Sequence, residues 1–184
     1  MVSLFVMQTE YELRILDIDV DSVISKLKSL GAKHIKRSKM KRLVYDLDIK
    51  PGVLKKWLRL RTDEEITTLT VKEITKQSID GTKEIEIEVS DFEETRKLIA
   101  SLGFKERFYQ ENKRCSWDLD GVKVEIDTWP LIPTYIEIEG NSKEDVEKTV
   151  LKLGFTMDQT TAIDVKKVHA KYGIDIHTIR KMTF

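Results

Sequence analysis

The sequence predicts an α+β fold: one closed, antiparallel barrel of eight strands with helices packed on its outside. The first observation is that at least six segments alternate charged and apolar residues with period two, which indicates strands with unlike faces. The second is that three segments with helical spacing each end on Leu-Gly, where a glycine cap is expected. Proline is scarce, with 3 in 184 residues, and no linker interrupts the chain. One domain over residues 1–184 is therefore expected.

The helices are predicted from their caps and their apolar spacing. The first three are expected at 19–32, 90–104 and 142–155, with Asp19, Ser90 and Ser142 as N-caps. Glycines 31, 103 and 154 follow them, as left-handed C-caps often do. A fourth helix is predicted at 161–172, ended by Gly173, and it carries three lysines.

The strands are predicted from the segments between these helices. They are expected at 7–16, 34–47, 56–62, 66–73, 82–89, 105–119, 121–128 and 134–140. Asp120-Gly121 is a typical tight hairpin turn, and residues 79–81 mark another reversal.

The charged strand faces distinguish two architectures. Glu84, Glu86 and Glu88 share one face of their strand, opposite Ile85 and Ile87. Such faces could be the solvent side of an open sheet. However, like charges at alternate positions repel one another unless cations lie nearby. Acidic and basic strands facing each other across a lumen would supply those cations, with the apolar faces outward beneath the helices. Closing eight strands also removes exposed sheet edges.

Composition excludes several classes of function. Lysine plus arginine number 32 and aspartate plus glutamate number 32, so the net charge is zero. This balance argues against binding to nucleic acid or to an anionic membrane. The basic run 36–42 contains no aromatic residue, which favours a solvated strand face or a basic lumen entrance. Cys115 is the only cysteine, so no internal disulfide is expected. The apolar opening MVSLFVM is too short for a signal peptide or a span, and a cytoplasmic location is expected.

The residues predicted to line the lumen suit metal and phosphate chemistry. The acidic ones, Glu10, Glu12, Asp127, Glu137 and Glu139, are oxygen ligands preferred by Mg²⁺ or Mn²⁺. The basic ones, Arg59, Arg61, Lys72 and Arg114, suit phosphate oxygens. Together they form the electrostatic clamp that phosphoryl transfer needs. The sequence has no P-loop, nucleophile elbow or dinucleotide fingerprint.

These residues stand in motifs that resemble the CYTH superfamily, the triphosphate tunnel metalloenzymes. TEYELRI is similar to its N-terminal E-x-E-x-K signature. The series continues with WLRLR, TVKE, KEIEIEV, KRCSW, VEIDTW and YIEIEG, so the resemblance covers nearly the whole chain. The superfamily includes class IV adenylate cyclases, thiamine triphosphatases and inorganic tripolyphosphatases.

The resemblance implies a role for each motif residue. Glu10, Glu12 and Glu139 would hold the activating metal, and Asp127 and Glu137 would place a second metal or the attacking water. Arg59, Arg61, Lys72 and Arg114 would bind phosphates, which Glu86 would orient. Arg14 stands at the signature lysine, where it would bind phosphate but could not act as a base. Asn112 stands where many members carry lysine, which removes one cation from the lumen.

The resulting expectation is a metal-dependent triphosphatase that hydrolyses tripolyphosphate or a triphosphate-tailed metabolite such as ATP or thiamine triphosphate. Arg14, Asp127 and Glu137 are its expected catalytic residues. A class IV-type adenylate cyclase that uses the same lumen and a non-catalytic binding module remain open. A homodimer is also left open. The fourth helix is expected either to close one tunnel entrance, as in family members, or to pack on the barrel as an ordinary helix.

Overall fold

The structure is a computed structural model, and it describes residues 7–184. Most of the apolar opening MVSLFVM lies outside the described residues. The strands are β1 (Gln8–Ile15), β2 (Lys33–Asp46), β3 (Lys55–Thr62), β4 (Thr67–Ile74), β5 (Thr82–Val89), β6 (Glu106–Leu119), β7 (Val122–Thr128), β8 (Tyr135–Gly140), β9 (Thr160–Thr161) and β10 (Lys181–Met182). The helices are α1 (Val20–Ser29), α2 (Phe92–Ser101), α3 (Lys143–Lys152) and α4 (Val165–Lys171).

The first eight strands close into the predicted barrel. Their order is β6-β2-β3-β4-β5-β1-β8-β7, and β7 pairs back with β6. All eight pairings are antiparallel. The hairpin between β6 and β7 turns at Asp120 and Gly121, which have φ of 56° and 84°. Positive φ at both central residues is characteristic of the type I′ turn, which matches the twist of the flanking strands.

The helix termini follow the predicted caps, with one exception. The side chain of Asp19 accepts a hydrogen bond from the backbone N–H of Ser22, and Ser142 accepts one from Asp145. The predicted cap Ser90 is wrong, because Asp91 accepts the bond from the N–H of Glu94. Asp91 is followed by an apolar residue that α2 buries, so the helix begins one residue later than expected.

The C-terminal region differs from the prediction of one helix over 161–172. Thr160 and Thr161 form β9, which pairs with the end of β1, and α4 begins only after its N-cap Asp164. Farther on, β10 pairs with β6 in parallel. The two short strands extend the barrel wall where β5 and β7 do not reach, so this region is part of the barrel.

The hydrophobic core lies outside the barrel wall, beneath the helices, as the alternation predicts. The largest cluster joins outward residues of β1, β6, β7 and β8 to α1 and α3, including Leu27, Val124, Ile138 and Val146, all 0% exposed. A second cluster lies between α2 and the outer faces of β2 and β3. Because stability comes from these outer clusters, the lumen can carry charge without weakening the core.

A third cluster ties the C-terminal region to the barrel. It contains Trp129, Tyr135, Val168, Ile176 and Met182, all buried. Removal of residues after Asp158 would expose this cluster, so the segment is an integral part of the fold. No helix within residues 7–184 has the length and apolarity needed to cross a membrane.

Candidate active site

The barrel interior is a cavity of about 1070 Å³. It is lined by every residue that the sequence predicts for the site: Glu10, Glu12, Arg14, Arg59, Arg61, Lys72, Glu86, Arg114, Asp127, Glu137 and Glu139. The alternative of charged faces on an open, solvated sheet is therefore wrong. A cavity of this size is large enough for a ligand of metabolite size.

Charge is divided between two sides of the lumen. We call the "acidic half" six lumen carboxylates of the adjacent strands β5, β1, β8 and β7: Glu84, Glu10, Glu12, Glu137, Glu139 and Glu125. Glu86 of β5 and Asp127 of β7 also line the lumen, but they pair with arginines of the other side. We call the "basic half" the lumen arginines of the adjacent strands β6, β2 and β3: Arg114, Arg42, Arg59 and Arg61. The division follows from the sequence, because each strand carries mostly one sign of charge on its lumen face.

Glu10 and Glu12 lie in the most crowded part of the acidic half. Glu12 stands directly opposite Glu139 across the β1–β8 ladder. Lys72 of β4 lies 2.7 Å from Glu10 and 3.1 Å from Glu84. Burial raises the pKa of Glu10 to about 8, with Lys72 opposing the shift and Glu12 and Glu84 adding to it. One lysine thus serves two carboxylates, Glu10 and Glu84.

Arg14 is also placed in the acidic half. Its Nη2 lies 3.0 Å from Glu12 and 2.5 Å from Glu137, and its Nη1 donates to the carbonyl oxygen of Ile163 at 2.8 Å. Burial opposes ionisation of Glu137, but Arg14 and Arg114 hold the pKa of that carboxyl well below its usual range. Arg14 thus neutralises two carboxylates and anchors the segment between β9 and α4.

Asp127 lies where the two halves meet. Its carboxylate accepts hydrogen bonds from Arg114 Nε at 2.8 Å and Nη2 at 2.5 Å, and from Asn112 Nδ2 at 2.9 Å. Arg114 also lies 3.4 Å from Glu137. This bidentate geometry fixes Arg114 and leaves Asp127 1% exposed.

Arg59 and Arg61 share one carboxylate in the basic half. Glu86 lies 3.0 Å from Arg59 and 3.6 Å from Arg61, and it accepts a hydrogen bond from Thr70 Oγ1 at 2.6 Å. Burial opposes the shift, but Thr70 and the two arginines lower the pKa of Glu86 to about 2. Repulsion by Arg59, together with burial and Arg114, lowers the pKa of Arg61 to about 10. Positive charge is in surplus here.

Sequence reasoning missed Arg42, which the structure places in the lumen with 6% exposure. The run 36–42 is basic on both strand faces: Lys36 and Arg42 line the lumen, whereas Arg37 and Lys39 are exposed outside. Period-two counting from Lys36 would have placed Arg42 inside. The mixed charge of the two faces hid this signal.

The acidic half suits a divalent cation in its donor chemistry. A buried oxygen of Glu125 has no hydrogen-bond partner in the described chain, and a buried oxygen of Glu84 is paired with Lys72 at 3.1 Å. Carboxylate oxygens are the ligands that Mg²⁺ and Mn²⁺ prefer. Within residues 7–184, no three acidic, histidine or cysteine side chains already converge on one point. Each of the three predicted metal ligands is paired with a cation: Glu10 with Lys72, Glu12 with Arg14, and Glu139 with Lys123 at 2.9 Å.

One entrance of the lumen is apolar and lies beside the C-terminal region. We call it the "C-terminal mouth", and its apolar lining is Leu47, Leu54, Trp57, Phe108, Val165 and Ile176. Lys166 and Lys167 of α4 also line it, and Lys55 holds the N-cap Asp164 at 3.2 Å. This end of the lumen offers aromatic and aliphatic surface next to cations.

A closed antiparallel barrel with oppositely charged sides of one lumen defines a tunnel-type protein for charged ligands. A sequence model of the CYTH domain matches residues 8–169, and the chain therefore belongs to the CYTH family. Members of this family mostly act on triphosphates and typically use divalent metals. No curated protein sequence matches the chain.

Solved structures show the same fold at low sequence identity. The PH1012 protein of Pyrococcus horikoshii is similar with a TM-score of 0.73 and 22% identity, over 86% of this chain and 98% of that one. A Vibrio parahaemolyticus protein provisionally named an adenylate cyclase has a TM-score of 0.73 and 13% identity, over 90% of this chain and 99% of that one. A Hippeastrum protein provisionally named an adenylyl cyclase is described as having a dominant triphosphatase activity. It is similar with a TM-score of 0.55 and 18% identity, over 91% of this chain and 95% of that one.

Proposed function

We propose that this chain is a metal-dependent triphosphatase that hydrolyses tripolyphosphate or a triphosphate-tailed metabolite inside the lumen. The observation that carries the proposal is that neither half of the lumen neutralises itself. In the acidic half Lys72 is shared by two carboxylates, Glu10 and Glu84. In the basic half two guanidinium groups, Arg59 and Arg61, share the one carboxylate of Glu86. A polyphosphate with its divalent cation carries both of the missing charges in one ligand.

Glu10, Glu12 and Glu139 would hold the Mg²⁺ or Mn²⁺ ion. When bound, such an ion supplies positive charge beside the phosphate oxygens. In exchange, Lys72 would leave Glu10, to which it is bound at 2.7 Å, and would turn to a phosphate oxygen. The lysine is a compact charge on a flexible stem, so this exchange costs little rearrangement.

Arg59, Arg61 and Arg114 would bind the phosphate chain, and Glu86 would keep the first two oriented. Paired arginines on alternate positions of one strand present two planar groups to one face, which suits phosphate oxygens. The charge that develops on the phosphate in the transition state would be stabilised by these preorganised cations, which is the main source of catalysis in phosphoryl transfer.

Asp127 and Glu137 would place the attacking water. The low pKa of Glu137 keeps it ionised, so that it accepts a hydrogen bond from water and draws the water oxygen toward phosphorus. A bond would form between that oxygen and the terminal phosphorus, and the bond from phosphorus to the bridging oxygen would break. Orthophosphate and the shortened phosphate chain would leave, and one proton from water would pass to the medium.

A second candidate is a class IV-type adenylate cyclase, and the C-terminal mouth favours keeping it. Trp57 and Phe108 there offer aromatic surface to an organic group attached to a triphosphate. In that reaction the ribose 3′-hydroxyl of ATP would attack the α-phosphorus, and pyrophosphate would leave. A third candidate is binding without turnover, which the replacements Arg14 and Asn112 keep open.

One assay separates the three candidates. Pure protein is incubated with tripolyphosphate or ATP, each with Mg²⁺, with Mn²⁺ or with EDTA, and the products are resolved by ion-exchange chromatography. The proposal predicts orthophosphate with metal and none with EDTA. Cyclic AMP with pyrophosphate would establish the cyclase, and tight binding without product would establish the binding module.

A further inference from the structure

Arg42 carries a buried positive charge that no carboxylate of residues 7–184 pairs with. It lies on β2 with 6% exposure and faces the lumen, and among residues 7–184 its guanidinium bonds to the neutral Asn112 and forms no salt bridge. Its cross-strand neighbour is Arg61 of β3. Like charges directly opposite each other destabilise a sheet, and an unpaired buried charge costs still more. Such a residue makes the fold less stable than an apolar side chain would.

Neutral groups hold the Arg42 guanidinium in place. It donates a hydrogen bond to Asn112 Oδ1, and it lies over the ring of Trp129 with 4.5 Å between guanidinium carbon and ring centre. Asn112 is 0% exposed and is itself fixed by its bond to Asp127. The guanidinium Nε is buried and has no partner within the described chain. The charge is therefore oriented but left without a counterion.

The charged groups nearest to Arg42 confirm that the deficit is one of negative charge. Burial together with repulsion by Arg59, Arg61 and Arg114 lowers the pKa of Arg42, and Asp127 opposes them. Asp127 is already bound by Arg114 and Asn112. What this corner lacks is an anion, and one can reach Arg42 from the lumen that it lines.

We propose that Arg42 is a substrate-binding residue that contacts a phosphate oxygen of the ligand, with Asn112 and Trp129 as its positioning residues. The inference rests on the proposed function and adds a specific anion ligand to it. It also explains Asn112, which stands where the resemblance implies lysine. An amide at 112 can accept a hydrogen bond from Arg42, whereas an ammonium group would repel it. The cation missing at 112 is thus supplied from β2.

Two measurements on Arg42→Met separate binding from structure. The first is the affinity for tripolyphosphate in EDTA, measured by calorimetry, and the second is the thermal midpoint without ligand. We expect the affinity to fall about ten- to a hundredfold, as for the loss of one charged hydrogen bond. We expect the midpoint to rise by about 2–4 °C, because an uncompensated charge is removed and methionine can still pack on Trp129. The matched control is Arg37→Met, which replaces an exposed arginine on the same strand. It should change neither the affinity for tripolyphosphate nor the thermal midpoint.

A rescue variant tests the role of position 112. Asn112→Lys in the Arg42→Met protein should recover most of the lost affinity, because it restores one cation to the same corner. Asn112→Lys alone should lower the thermal midpoint, because it adds a like charge beside Arg42. Unchanged affinity in Arg42→Met would overturn the inference while leaving the proposed function intact. A lower midpoint with no rescue would also overturn it, since Arg42 would then be structural. Failure of the wild type to bind tripolyphosphate both in EDTA and with Mn²⁺ would overturn both.

Discussion

The two halves of the lumen shift the pKa values of their charged groups in opposite directions. In the acidic half, burial and neighbouring carboxylates raise the pKa of Glu10 to about 8. In the basic half, neighbouring arginines and burial lower the pKa of Arg61 to about 10. The ion pairs differ in the same sense, because Lys72 is shared by two carboxylates in the acidic half, whereas Arg59 and Arg61 share one carboxylate in the basic half. This difference is what the proposed function rests on, since a metal polyphosphate would bring both signs of charge in one ligand.

The largest effect is expected from the acidic half. Glu12→Ala should reduce triphosphate turnover about a hundred- to a thousandfold at low metal concentration, because it removes one predicted metal ligand and frees Arg14. Removal of one preorganised electrostatic contact typically has this size. Turnover is measured against Mg²⁺ and Mn²⁺ concentration, and excess Mn²⁺ should restore part of it.

A control is needed because lumen mutations could also act through folding. Glu73→Ala removes a carboxylate from the outer face of β4, where it pairs with Lys56 at 2.7 Å, and should leave turnover unchanged. Circular dichroism should show both variants folded, since the core lies outside the barrel. Full activity of Glu12→Ala with Mg²⁺ would remove β1 from the metal site.

Arg14 tests whether its position serves as a proton acceptor or as a fixed cation. The guanidinium group cannot lose its proton, so an active wild type excludes the first role. We expect an active wild type and a loss of about ten- to a thousandfold in Arg14→Ala. Arg14→Lys should keep most turnover but lose thermal stability, because one ammonium cannot hold Glu12, Glu137 and Ile163 together.

The pH dependence of turnover decides the Arg14 question. The profiles of wild type and Arg14→Lys are compared from neutral to alkaline pH. The fixed-cation role predicts similar profiles until lysine deprotonates. A silent wild type that becomes active only as Arg14→Lys would contradict it and would favour a binding module for the natural protein.

A smaller effect is expected from Glu86, the shared carboxylate of the basic half. Its pKa of about 2 in the folded protein lies below the ordinary 4.5, so the folded state favours its ionised form. Its contribution to stability is therefore complete above pH 4.5 and is lost as pH falls through about 2. Glu86→Gln should melt below wild type at pH 6, and the difference should shrink toward pH 2. A difference in melting temperature that does not change with pH would contradict this.

The sequence predicts the barrel closely because charge alternates so regularly. All eight strand boundaries agree within one residue at either end. The strands β9 and β10 could not be predicted, since each has two residues and pairs only through its backbone. The predicted last helix begins too early for the same reason, because Thr160 and Thr161 form β9 and pair with the end of β1.

The site could be predicted as a face but not as a set of partners. Alternation places Arg14 in the lumen, yet only the barrel geometry reveals that it meets Glu12, Glu137 and the backbone of Ile163. Likewise, Arg42 escaped notice because cations occupy both faces of its strand. Strand order and stagger determine which charges meet across a lumen, and local periodicity predicts neither of them.

The central claim is that metal and phosphate bind the two halves as one ligand. It is tested most directly by calorimetric titration of a non-hydrolysable imido analogue of tripolyphosphate, with and without Mn²⁺, into wild type and Glu12→Ala. We predict that Mn²⁺ tightens binding at least about tenfold in wild type, as coupled sites typically show, and much less in Glu12→Ala. Equal affinities with and without Mn²⁺ in wild type, or the same gain in both proteins, would contradict the claim.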